Sequence, residues 1–355
     1  MMRITNNMMV SNTVWNINKN MERLSKAQDV VSTQNKIQLP SDDPVVATRA
    51  IKYRNYVAKI EQYQQNAADA ASWQAVTESA LSDLGDVVKR LKELTVRASS
   101  DTLSDTDQAS IQTEVEQLQQ QVVDIMNTTY ADRYIFGGYD TDQAPYALVS
   151  TDTGTKVTYK GQYLSLGGPM SAALDAAAIE DFCSANATTA YQDTEDQAIK
   201  YNIGFGTKIA INVEGQDVIG SETGSNLFDT IAKLLLGLDG ATSYQTATID
   251  DSTTPATVTV TSNPLEIDSV LTDLQADYDR LLNVRADLGA RMNYVDMAIT
   301  RLSNNATTYT KLQSNNEDAD TAKSSTDLTT AQYVYQASLL VGAKVISKSL
   351  VDYMS

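Results

Sequence analysis

The sequence predicts a mainly α-helical protein with an inserted β-rich domain. Long antiparallel helices from both chain ends are expected to pair as a coiled coil and to carry an outer mixed β domain between them. Three observations predict this. Apolar residues recur in alternating steps of three and four in both flanks of the 355-residue chain. Between the flanks, residues 146–265 change to short alternating runs rich in Thr, Gly and Asp. No single helical stripe can bury itself, so stripes far apart in sequence must pack on one another.

The N-terminal stripe is Val10, Val14, Ile17, Met21, Leu24 and Val31, with Gln28 in the remaining place. It runs out at "IQLPSDDPVVAT", residues 37–48. Pro40 cannot continue a helix and holds Leu39 out of the helical region. Asp43 then stands as the N-cap of a new helix with Pro44 at its first position, and Asp42 faces the positive end of that helix dipole. Pro40, Asp42, Asp43 and Pro44 are therefore an interdomain joint rather than a catalytic or metal pair.

Beyond the joint, Thr77, Leu81, Leu84, Val88, Leu91, Thr95 and Ala98 form a second stripe. Ser104 and Asp107 have the spacing of a capping box ahead of a third, Ile111, Val115, Leu118, Val122 and Ile125. The matching stripe downstream is Leu271, Leu274, Tyr278, Leu281, Arg285, Leu288, Met292, Val295, Ile299 and Leu302, with Arg285 its only charged member. Leu84, Val88, Leu91, Leu118, Val122, Leu281, Leu288 and Val295 are expected to form the bundle core. In "YIFGGY", residues 134–139, the glycine pair Gly137-Gly138 fits a hairpin turn of positive φ. A phosphate loop is excluded because no Lys-Ser/Thr follows.

Within the insert, "KVTYK" (156–160), "KIAINV" (208–213) and "ATVTVTSN" (256–263) alternate as half-buried strands do. One helix is expected in "GSNLFDTIAKLLLGLDG", capped by Ser225 or Asn226, with Leu227, Ile231 and Leu234 or Leu235 facing inward. Near the C-terminus the stretch from Tyr333 to Met354 is apolar on more than one side. Val334, Ala337, Val341 and Val345 make one face; Tyr335, Leu339, Ile346 and Leu350 spread onto another. Such a helix must be covered nearly all round, which one partner helix cannot do. Either a large core or several copies of the protein cover it. Together with the N-terminal stripe, Val334, Tyr335, Leu339, Val341, Val345, Ile346 and Leu350 are the candidate assembly interface. The layers expected are 1–40 with 306–355, 41–145 with 266–305, and 146–265. The polar run "LQSNNEDADTAKSST", 312–326, reads as a joint facing "LPSDDP".

Composition narrows function. Basic residues number 27 against 45 acidic, a net charge of -18. That disfavours nucleic acid and anionic membranes as partners. The insert holds 14 acidic and 5 basic residues, half of the net charge, whereas residues 1–40 hold 5 basic and 2 acidic. There is no histidine, which removes the commonest general base and every His-containing metal site. Cys183 stands alone and is expected to be buried or inert. No cofactor or metal is expected. The N-terminus lacks an apolar run of signal-peptide length, and no run approaches the ~18 apolar residues of a membrane span.

"MRITNNMM" (2–9), "LPSDDPVVATRA" (39–50), "EQYQQNAADAASWQAVTESAL" (61–81), "DRYIFGGYDTDQAPY" (132–146) and "YQASLLVGAKVISKSLVDYM" (335–354) resemble the flagellin superfamily. The resemblance covers about residues 2–145 and 271–355. It implies a non-enzymatic assembly subunit of the bacterial flagellum, exported through the flagellar type III apparatus without a cleaved signal. Terminal segments would pair as an inner coiled-coil layer, below a helical layer and a variable outer domain. The implied partners are further copies of the chain, a neighbouring hook-associated protein, flagellin, and an export chaperone around Tyr333 to Leu350. The joint and the "YIFGG" turn favour a subunit between hook and filament over the filament subunit, which is the alternative. A hydrolase using Asp181, Asp193, Glu195 and Asp196, or a binding module using exposed tyrosines, competes less well. Solvated acidic loops account for those carboxylates, because catalytic pairs need burial that separates their pKa values.

Overall fold

The structure, a computed structural model, describes residues 2–99, 104–191, 197–221, 225–250 and 257–351. The chain runs through α1 (Met2–Thr33), α2 (Pro44–Ala98) and α3 (Asp105–Met126) to the short strands β1 (Thr129–Tyr130) and β2 (Arg133–Tyr134). The insert supplies β3 (Tyr146–Thr151), β4 (Gly154–Tyr159), β5 (Gln162–Tyr163), β6 (Met170–Ser171), α4 (Ala176–Asn186), β7 (Lys200–Gly204) and β8 (Thr207–Ala210). It continues with α5 (Gly215–Ile219), α6 (Leu227–Leu238), β9 (Ser243–Asp250) and β10 (Thr257–Pro264). Two long helices follow, α7 (Ile267–Glu317) and α8 (Thr321–Val351). The expected class holds: long helices from both flanks and a β-rich insert.

The chain divides into two compact units, Met1–Gln62 with Arg301–Ser355, and Tyr63–Thr300. In the first, α1 and α8 pack antiparallel. Thr13 and Ile17 lie against Gly342 at one end, and Asn35 and Asp318 form an antiparallel bridge at the other.

The second unit holds the bundle. Thr77, Leu81, Leu84, Val88, Leu91 and Thr95 of α2 are all buried, and so is an adjacent row, Trp73, Ala80, Val87 and Leu94. Two buried rows mean two partners. One is α7, where Arg285 Nε donates to Glu78 at 3.2 Å and Leu281 packs beside Gly85. The other is α3, whose Glu114 accepts from Arg90 Nε at 2.7 Å. Along α7, Leu274, Leu281, Leu288 and Val295 are buried, while Leu271, Tyr278, Arg285 and Met292 between them are half-buried. Ser104 caps α3 by accepting from Asp107 N at 3.3 Å and donating to Asp107 Oδ2 at 2.8 Å. Leu118, expected in the core, is only half-buried, and Gln119 is buried instead. The reason is that α3 also packs under α6, which turns its buried face.

The insert contains two three-stranded antiparallel sheets, ordered β3-β4-β5 and β10-β9-β6, and a β7-β8 hairpin. Lys156, Val157, Thr158 and Tyr159 of β4 are all buried, so this strand is covered on both faces and does not alternate as expected. Asn226 caps α6, accepting from Asp229 N at 2.9 Å, and Leu227, Ile231 and Leu234 are buried with Leu235 half-buried. The hairpin turn is not at Gly137-Gly138. Ala131 (φ 49°) and Asp132 (φ 62°) make it, joining β1 to β2. The glycines serve the next bend: a Cβ on Gly137 would lie 2.2 Å from the Asp140 carbonyl, and Gly138 has φ 63°.

Candidate assembly interface

On α8 the half-buried or buried residues are Ser324, Leu328, Ala331, Tyr335, Ser338, Gly342 and Val345, an unbroken four–three alternation. On α1 the answering row is Val10, Thr13, Ile17, Asn20, Leu24, Ala27 and Val31. This is a two-helix seam in heptad register. Half of its fourteen positions carry small or polar side chains, and there the helices approach closely. A Cβ added to Gly342 would come within 2.8 Å of Ile17 Cδ1.

The structure thus corrects the N-terminal stripe. Val10, Ile17, Leu24 and Val31 belong to the seam, but Thr13, Asn20 and Ala27 alternate with them. Val14, Met21 and Gln28 form the neighbouring row and are exposed. On α8, Tyr335 and Val345 sit in the seam while Val334, Leu339 and Val341 lie outside it, exposed. The side chains of Ile346 and Leu350 lie outside the described residues. The candidate interface residues leave out three more exposed apolar side chains, Trp15 (61%), Tyr333 (69%) and Leu340 (68%), of which Tyr333 is named only as the start of the apolar stretch. The unit therefore presents a wide apolar surface flanking a seam that is itself incompletely buried. Contiguous apolar patches of this kind are uncommon on the surfaces of monomeric proteins.

The elbow between α1 and α2 fixes where these helices start and stop. Asp43 Oδ1 accepts from Val45 N at 3.0 Å and Val46 N at 3.1 Å, as an N-cap does. Pro44 opens α2. Asp42 does something other than face the dipole: its Oδ2 accepts from Leu39 N at 3.2 Å, closing the Pro40 turn, and its Oδ1 lies 3.7 Å from Lys26 Nζ. The whole elbow lies within the first unit. The polar α7–α8 junction meets its flanks. Lys36 N donates to Glu317 O and Ala319 N to Gln34 O, both at 2.7 Å. Asn316 Nδ2 donates to Val46 O at 3.0 Å. Arg54 holds the buried Glu317 carboxylate at Oε2, at 2.6 and 3.0 Å, which pushes the guanidinium pKa up.

In the insert, Asp181 is exposed, and Asp193, Glu195 and Asp196 lie outside the described residues. Buried ionisable groups occur elsewhere and hold elements together. Asp277 of α7 accepts from Thr230 of α6 at 2.9 Å and from Arg280 at 2.8 Å; burial raises its pKa to about 6, against the opposing pull of those two donors. Arg280 also donates to the carbonyls of Ile219 and Ser225, both at 2.8 Å. Asp229 accepts from Ser165 at 2.6 Å. Burial pushes the Lys156 ammonium down and the Cys183 thiol up. Of these, Cys183 alone was expected from the sequence to be buried, and it is. Among the described residues, no three His, Cys, Asp or Glu side chains are placed to hold a metal, and no helix is long and apolar enough to cross a membrane.

Residues 4–141 match the model of the bacterial flagellin N-terminal helical region, and residues 271–354 match that of the flagellin C-terminal helical region. The two matches take in both helical flanks and more than half of the chain. The chain belongs to the flagellin family. Among curated members of related sequence, flagellar hook-associated protein 3 of Escherichia coli K12 is 28% identical over 320 residues, which are 90% of this chain and 89% of that one. Flagellin of Clostridium tyrobutyricum is 34% identical over 128 residues, 36% of this chain and 34% of that one. Among solved structures, a protein of Vibrio parahaemolyticus described as a candidate flagellar hook-associated protein superposes with a TM-score of 0.56. It covers 78% of this chain and 100% of its own at 16% identity, which is a likeness of fold.

Proposed function

We propose that this chain is a structural subunit of the bacterial flagellum that forms the junction between hook and filament, self-assembling through its terminal helices. One observation carries the reading. The similarity to hook-associated protein 3 runs through the insert and nearly the full length of both chains, whereas that to flagellin stays within about a third of each. The filament subunit is therefore the second reading.

In the proposed assembly, residues 1–40 with 306–355 form the terminal layer, 41–145 with 266–305 a helical layer and 146–265 the outer domain. Val14, Met21, Val334, Leu339 and Val341 lie on surfaces that sister subunits cover, and ordering entropy is offset only when they do. Neighbours are a second hook-associated protein on one side and flagellin on the other, with an export chaperone engaging the region around Tyr333 to Leu350 before assembly. The subunit leaves the cell through the flagellar export apparatus and catalyses nothing. Deleting the gene tests this. Hooks should remain intact while flagellin is shed into the medium; loss of flagellin itself would identify a filament subunit instead.

A further inference from the structure

The strand edges of the insert are not guarded alike. β7 and β8 carry Lys200 and Lys208 and slip register between Asn202 and Gly204. β5 and β6 are two residues each, and β3 packs against α3. β10 also has a helix, α4, against one face, but it carries no lysine, slips no register and is not short. It is eight residues long, pairs with β9 without a register shift from Thr257↔Asp250 to Pro264↔Ser243, and stands at the end of the order β10-β9-β6. Among the described residues no backbone group pairs with its outer edge. The strand has no charged residue, and its one proline is the last position. α4 covers one face, where Val258 and Val260 are half-buried against the cluster around Ile179 and Cys183; Thr259 and Thr261 are exposed. A long, regular, uncharged edge is a template for another strand, and natural sheets usually block it.

The order of residues along this edge says which strand. Thr257-Val258-Thr259-Val260-Thr261 reads the same from either end. Two such strands related by a two-fold axis at Thr259 set Thr259 opposite its own copy and Val258 opposite Val260. Valines then meet valines on the α4 face and threonines meet threonines on the other, the pairings a sheet favours. We propose that β10 is a self-association edge, through which two copies of the chain join their β10-β9-β6 sheets across a two-fold axis at Thr259. The occupant is a second copy because the register is self-complementary. The acidic inserts repel one another, so pairing strengthens as salt screens them. The contact does not involve the terminal helices and stands apart from the assembly proposed above.

Single cysteines in the full-length chain test the register, with oxidised glutathione as oxidant. Directly opposed Cα atoms of an antiparallel pair are about 4.5–5.5 Å apart, within reach of a disulfide. The two copies of residue 261 would be about 14 Å apart, beyond it. Thr259→Cys should give linked dimer at least ~10-fold faster than Thr261→Cys at equal concentration. Wild type, whose Cys183 is buried, serves as the blank. Thr259→Lys should weaken self-association in sedimentation by ~10-fold with an unchanged circular dichroism spectrum. Equal linking at both positions, as random collision or terminal-helix clustering would produce, overturns the proposal. So does the absence of linked dimer at Thr259.

Discussion

The α1–α8 pair and the α2–α3–α7 bundle follow one heptad rhythm but bury it to different depths. In the bundle, Leu84, Leu91, Leu281 and Leu288 are almost wholly removed from water. In the terminal pair no large seam residue among the described ones is fully buried, and Trp15, Tyr333 and Leu340 stand more than half exposed beside it. Apolar burial contributes roughly 25 cal/mol per Å², so the bundle is stabilised by its own chain, while the terminal pair leaves much of its gain unrealised. Equal periodicity therefore does not mean equal completeness.

Four measurements would break or sharpen that contrast. Leu288→Ala should lower stability in denaturant unfolding by about 2–5 kcal/mol. Leu24→Ala in the half-buried seam should cost less than roughly half as much; equal losses would erase the distinction. Next comes pH. Asp277 has a folded pKa of about 6, above the ordinary value of 3.8. Between those values the folded chain holds a proton that the unfolded chain has lost. Stability attributable to Asp277 is thus highest below about pH 4 and falls as pH rises to 6. Against Asp277→Asn, wild type should lose on the order of 2 kcal/mol across that window; parallel curves would contradict the burial. Asp43→Ala should weaken the start of α2 by about 0.5–2 kcal/mol, read as faster hydrogen exchange over residues 46–50. Smallest of all, Leu340→Ser should leave monomer stability within ±0.5 kcal/mol yet abolish assembly. A folded monomer that still assembles would remove Leu340 from the interface.

How much of this was legible in sequence depended on what carried the signal. The α2 and α7 stripes were readable because large apolar residues fill every second position of a deeply buried seam. The α1 stripe was misread by one residue because the true seam uses Thr13, Asn20 and Ala27. Small or polar residues suit a close helix pair, and the more apolar neighbours Val14 and Met21 drew attention to the wrong row. The Asp43 cap was readable because its chemistry is local. Lys156 and Asp277 were not, since their burial depends on α6 and on strands that arrive from far along the chain. The same holds for the order β10-β9-β6. Alternation in "ATVTVTSN" announces a strand without saying what lies on either side of it.

Gln34 adopts a left-handed backbone (φ 59°) so that its carbonyl can take the Ala319 amide while Lys36 N reaches Glu317 O. The clasp at the elbow is therefore made of main chain, which every residue except proline possesses. Alanine scanning would register Arg54, Asn316 and Glu317, whose side chains also brace this joint, but would leave these two main-chain bonds in place. Proline at position 36 or 319 removes one strut each, whereas glycine at 34 relieves the positive-φ strain at an entropic cost in the unfolded chain.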